Sequence, residues 1–170
     1  MTRPNDSIAA GFAALEATLQ RQLDEYRSLR VLIERRREAL RGADAVALQA
    51  VIEAERQALV RISDLDRART EAANGLGRRL TVTPVTISAL AVRAPEPART
   101  AIETVAAALR EEIEQCRRAS SVVRAAADAL AQHVSGILQT VQHAFAGTST
   151  YGRAGRLASV GPIRSIDLRS

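Results

Sequence analysis

The residues able to do chemistry in this chain are few, and their spacing does not suit it. His133 and His143 stand ten positions apart, so neither forms the i, i+4 pair or the H-x-x-x-H spacing that seats a metal on one helix face. Cys116 is the single cysteine, and no histidine lies near it in sequence to draw off its proton, so it reads as a small core residue. Carboxylates gather at Glu111, Glu112 and Glu114 and at Asp64 with Asp66, but arginines lie among them at helical spacing and account for them as ion-paired, solvated faces. Gly75 with Gly77, and Gly152 with Gly155, lack the Lys-Ser/Thr or the strand-to-helix context of a phosphate loop. Arg35-Arg36-Arg37 is flanked by Glu34 and Glu38 and has no interleaved aromatics on which bases could stack. The expectation is a binding protein with no catalytic residue, no metal, no cofactor and no nucleic-acid partner.

Composition agrees. Of 170 residues 46% are hydrophobic, but 33 are alanine, which favours helix and buries little, so the core must be thin. Aromatics make up 2% and tryptophan is absent, which removes the usual lining of a deep small-molecule pocket. The net charge of +5 is carried by arginine alone, without a single lysine. It is concentrated at the end: Arg153, Arg156, Arg164 and Arg169 against Asp167 give residues 147–170 a net +3, leaving +2 on the other 146. A lone cysteine rules out an internal disulfide and fits a reducing compartment. The apolar stretch from Ile8 to Leu15 lies between Asp6 and Glu16 and continues in the same spacing downstream, unlike a leader, and no run is long enough to span a bilayer. These features predict a cytoplasmic address without membrane insertion.

The elements that hold these residues are long helices. Ile8, Phe12, Leu15, Leu19, Gln22, Tyr26, Leu29, Ile33, Arg36 and Leu40 step by four and three, and only Gln22 and Arg36 break the apolar seam. Asp6 or Ser7 suits the start and Gly42 the left-handed stop, predicting a first helix over 7–41. Asp44 offers the next N-cap, and a second stripe from Leu48 to Leu76, weakened at Glu55 and Arg69, ends near Asn74, Gly75 and Gly77. A connection this short makes the two helices an antiparallel hairpin. Residues 78–99 change character, with β-branched residues and three prolines, and Thr86 is placed to cap a short helix over 87–92.

The third long helix is the cleanest pattern. Ile102, Val105, Leu109, Glu112, Cys116, Ser120, Val123, Ala127, Leu130, Val134, Ile137, Val141 and Phe145 keep near-heptad spacing. Small residues in its middle, from Cys116 to Ala127, let neighbouring backbones come close. The predicted fold is all-α: an antiparallel three-helix bundle of coiled-coil-like helices, with a short helix in the crossover. At about 1.5 Å per residue the last helix outruns its partners by about 20 Å, leaving an apolar face as an acceptor for another helix. The periodicity stops after Gly147, which divides the chain into a helical domain, 1–146, and a flexible basic tail, 147–170.

Three features together resemble the FlgN family of flagellar export chaperones over nearly the whole chain. The first is the hairpin Leu32-Ile33, Leu40, Asp44, Leu48, Ile52-Glu53, Leu59, Ile62 and Leu65-Asp-Arg-Ala-Arg69. The second is Thr86-Ile-Ser-Ala-Leu-Ala91 before a long final helix. The third, and the most specific, is Tyr151-Gly-Arg-Ala-Gly155 followed by a terminus reading Ile166-Asp-Leu-Arg169. Where that family often carries asparagines in the final helix, this chain has Asp128, Gln132 and His133.

The resemblance implies a chaperone that binds the terminal helical segments of the hook-filament junction proteins FlgK and FlgL. It also implies delivery to the export gate, the FlhA type of protein. The client face is then expected on Leu130, Val134, Ile137, Leu138, Val141 and Phe145, and the gate contact at Tyr151 and Gly155, where tyrosine supplies a large amphipathic surface at small entropic cost. Two other readings stand beside it: a scaffold whose helices pair with copies of themselves, including a homodimer, and a basic nucleic-acid-binding helical protein.

Overall fold

The computed structural model describes residues 4–148, and all their regular structure is helical: α1 (Pro4–Arg41), α2 (Ala45–Leu80), α3 (Ile87–Ala91) and α4 (Ala98–Thr148). By contact density the chain divides into two units, Met1–Ala126 and Ala127–Ser170, so α4 contributes to both.

The first unit is a helical bundle. Its hairpin turn is a Schellman motif: the Asp44 N–H reaches the Ala39 carbonyl at 3.0 Å and the Ala43 N–H reaches Leu40 at 3.3 Å. The left-handed residue is therefore Ala43, at φ 50°, rather than Gly42. Asp44 then begins α2, its carboxylate accepting from the Ala47 N–H at 2.9 Å. Contacts along the hairpin run in opposite order on the two helices, Ser7 with Arg79, Glu25 with Arg61 and Arg36 with Glu55.

The second helix continues through Gly75 and Gly77 to Leu80, further than its glycines suggest. The reason is packing. A Cβ on Gly77 would lie 2.5 Å from Val85 Cγ2, so the missing side chain admits the crossover, and a Cβ on Gly11 would lie 2.7 Å from Leu76 Cδ2. Thr81, left-handed at φ 54°, ends the helix with its N–H on the Gly77 carbonyl. Thr86 caps α3 as its sequence predicts, accepting from the Ala89 N–H at 3.1 Å, and the short helix buries Leu90 and Ala91.

Two apolar clusters make the core. Phe12, Leu15 and Leu19 of α1 meet Leu76 of α2, Leu90 of α3 and Ile102 and Leu109 of α4 in one. Leu29 and Ile33 meet Ala58, Ile62, Cys116 and Val123 in the other, where the small residues permit close helix approach. Three polar interruptions of the seams, Arg36, Glu55 and Glu112, are ion-paired at this core. Arg36 bonds Glu55 at 2.7 Å, Arg30 pairs with Glu112, and Gln22 is buried with its carbonyl oxygen unpartnered. Burial pushes the Glu55 carboxyl up from its ordinary 4.5, against the opposing pull of Arg36.

Candidate partner-binding face

The same spacing behaves differently in the two units. Along α4, Ile102, Leu109, Cys116 and Val123 are buried, with Glu112 among them. In the second unit the face continues as Leu130, Val134, Ile137, Leu138, Val141 and Phe145, and every one is exposed, from 44% at Val141 to 73% at Phe145. At about 100° per residue these six fall within an arc of about 100°, one face of the helix. The structure thus brings all six predicted client residues together. Tyr151 and Gly155, the predicted gate contacts, lie outside the described residues.

Local features favour helix in this segment. It has no proline, its commonest residues are alanine and glutamine, and Thr140 ties its hydroxyl to the Gly136 carbonyl at 2.9 Å. A feature that the apolar spacing does not reveal is its charge. Asp128 is the last charged residue before Arg153, so Ala129 to Gly152 holds no Asp, Glu, Lys or Arg, and its only titratable groups besides Tyr151 are His133 and His143. The signal was available in the sequence as a gap in the charges, which reading the apolar positions alone passes over.

Elsewhere exposed apolar residues such as Val31, Val46, Ile52 and Val60 sit among charged neighbours, as single surface hydrophobics usually do. A groove of about 390 Å³ is lined by Arg21, Asp24, Glu25, Arg61, Asp64 and Leu65, and four of its five charged residues are ion-paired: Arg61 with Glu25 at 3.1 Å, Asp64 with Arg67 and Asp24 with Arg27.

The residues considered for chemistry are likewise taken up by structure. Cys116 Sγ donates to the Tyr26 carbonyl at 3.3 Å, and burial pushes its thiol up to about 11, which keeps it protonated and inert. Glu111 pairs with Arg118, Glu112 with Arg30, and Asp66 with Arg69. Arg36 leaves the basic run to bond Glu55, and Arg37 bonds Glu34. Among the described residues no three His, Cys, Asp or Glu side chains gather to hold a metal. No described helix is long and apolar enough to cross a membrane.

Within the first unit the α4 seam is largely buried, and from Leu130 to Phe145 its large apolar residues are exposed on a stretch without charge. The profile of the family described as FlgN protein matches residues 8–159. The chain belongs to the FlgN family. Membership points to a flagellar export-chaperone role, in a family of chaperones rather than enzymes. Neither the curated proteins nor the solved structures compared gave a match.

Proposed function

We propose that this FlgN-family chain is a cytoplasmic export chaperone that takes the terminal helical segments of FlgK- and FlgL-type hook-filament junction proteins onto the face from Leu130 to Phe145. The reading takes the bundle as the antiparallel three-helix kind, with 1–146 as the chaperone domain and 147–170 as a separate basic tail. The observation that carries it is the exposure of six large apolar side chains on one helix face, where Ile102, Leu109, Cys116 and Val123 earlier on the same helix are buried.

The energetics suit a carrier. Completing the burial of six half-exposed side chains is worth about 1 kcal/mol each, on the order of 6 kcal/mol in all. Association and the ordering of a client helix, about 2–5 kcal/mol for the latter, are set against that. The result is a complex that forms and releases, as handover requires. Covering the apolar face of a client terminus would also stop clients from associating with one another before export.

Delivery falls to the tail, with Tyr151 and Gly155 as the contact with the FlhA-type gate protein. The test is a pull-down of FlgK and FlgL terminal fragments by the full chain. Capture is expected, and it is expected to fall when Val134→Asp places a charge in the stripe. Recovery of neither fragment by the unaltered chain would overturn the reading. Tyr151→Ala should keep the client and weaken gate binding; loss of both together would refute the division of labour.

A further inference from the structure

The open stripe of α4 and the residues that follow it belong to one unit of the chain, so the polypeptide closest at hand to lie on that stripe is the chain's own end. Leu130, Val134, Ile137, Leu138 and Val141 are each about half exposed and span about 17 Å of helix. Residues 149–170, outside the described structure, follow α4 directly and carry a period of their own. Leu157, Val160, Ile163 and Ile166 recur at every third position. Gly161 and Pro162 fall among them, and a proline there opposes an α-helix, because it has no N–H to give and its ring meets the preceding turn. A three-residue period that includes a proline suits the extended polyproline II conformation, in which every third side chain lies on one edge, about 9 Å apart. Val160, Ile163 and Ile166 then span about 19 Å, close to the length of the stripe.

Reach and charge both favour a return along the same helix. Gly152 and Gly155 precede the apolar run and ease a reversal of the chain. From Thr148 to Val160 the chain has to come back only about 10 Å to meet Val141, against an extended reach of about 40 Å. Reversed in this way, Val160 falls beside Val141 and Leu138, Ile163 beside Val134 and Ile137, and Ile166 beside Leu130. The last turn of α4 has no basic residue of its own, and its terminal carbonyls are the negative end of the helix dipole. Arg153 and Arg156 lie in the reversing stretch, near that end in sequence. The stripe itself carries no charge to repel a segment of net +3.

We propose that residues 157–166 fold back antiparallel along α4 and cover the stripe from Leu130 to Val141 of their own chain. The tether supplies this segment at an effective concentration of about millimolar, which favours it over any free polypeptide present at micromolar levels. Three apolar contacts make a weak cover, and a longer amphipathic helix displaces it. That exchange rests on the client reading above; the cover itself does not.

The test uses the full chain with Cys116→Ser, whose hydroxyl can keep the bond to the Tyr26 carbonyl. Two double-cysteine chains are oxidised mildly at low concentration, Val134→Cys with Ile163→Cys and Gln139→Cys with Ile163→Cys. Both helix positions are exposed, but Val134 is on the stripe and Gln139 on the back of the helix. The 134-to-163 disulfide within one chain should form about tenfold faster, although Gln139 is nearer in sequence. Equal rates would mean that the end of the chain visits both sides of the helix alike, and mainly intermolecular products would mean that it covers another copy. Either result overturns the proposal. The chain closed at 134 and 163 should lose capture of FlgK and FlgL fragments and regain it on reduction, and Ile163→Asp alone should strengthen capture severalfold. Undiminished capture by the closed chain overturns the exchange. If the unaltered chain captures no fragment while the 134-to-163 link still forms faster, the client reading fails and the cover stands.

Discussion

The two parts of α4 share one spacing and meet opposite fates, and the difference lies in what flanks the seam. Up to Arg124 the helix carries Arg99, Glu103, Arg110, Glu111, Glu114, Arg117 and Arg118 away from a face that is buried against α1, α2 and α3. From Ala129 the seam continues with larger exposure and no flanking charge at all. Periodicity says that a helix has an apolar face. It does not say whether that face belongs to the molecule's own core or to a partner. The charge pattern differs with the fate of the face here: the buried half carries charges, one of which, Glu112 in the seam itself, pairs with Arg30 of α1, and the exposed half carries none beyond Asp128.

The strongest way to break the comparison is to truncate corresponding residues in each part. Ile102→Ala removes a fully buried side chain and should cost about 2–5 kcal/mol in urea unfolding. Ile137→Ala, half exposed on the same seam, should change stability by less than about 0.5 kcal/mol and instead weaken client capture. Equal losses of stability at both sites would show that the outer stripe is core after all.

Next in size is the ion pair that interrupts the inner seams. Arg36→Ala leaves Glu55 buried without its cation and should cost about 2 kcal/mol, below the full penalty of a dry pair because Arg36 is partly exposed. Replacing both, Arg36→Met with Glu55→Leu, should recover most of that loss. The sign of the pH effect also follows. Glu55 binds its proton more readily folded than unfolded, so its contribution to stability is greatest below 4.5 and declines as pH rises through the raised folded value. Glu55→Gln should flatten that slope in unfolding curves taken between neutral pH and 4.5. An unchanged slope would mean that Arg36 fully offsets the burial.

Much of this was legible in the residues. The seam of α1 marked Phe12, Leu15, Leu19 and Ile33 as core, and Thr86 announced the short helix that Leu90 anchors. The partnership of Arg36 with Glu55 was not legible, because each looks like a defect in its own stripe and only the hairpin register sets one defect against the other. Gly77 misled in the other direction. A glycine late in a helix reads as a stop, yet here it admits Val85, a contact made by the crossover rather than by the helix. The six residues of the outer face were marked by spacing, while their exposure was not legible from it, because the same spacing runs through the buried half of α4.

A smaller effect tests the hairpin that holds the inner half together. Gly42 looked like the left-handed position, but the Schellman bonds put it at Ala43, where a Cβ strains the backbone. Ala43→Gly should therefore stabilise the bundle by about 0.5–1 kcal/mol, with the gain read from the midpoint of denaturation. Gly42→Ala should be tolerated, since its added Cβ would come no nearer than 3.5 Å to the Glu38 carbonyl.

The smallest expected effect is the most pointed. If the outer face binds through apolar contact alone, client affinity should change by less than about twofold as salt is raised across the physiological range, because no charge between Ala129 and Gly152 is there to be screened. Gate binding through the tail, with its net +3, should weaken over the same range. Titrations of each partner at several ionic strengths separate the two. A steep salt dependence for the client would place its contacts on the charged helices of the bundle, and the distinction between the two halves of α4 would then lose its functional meaning.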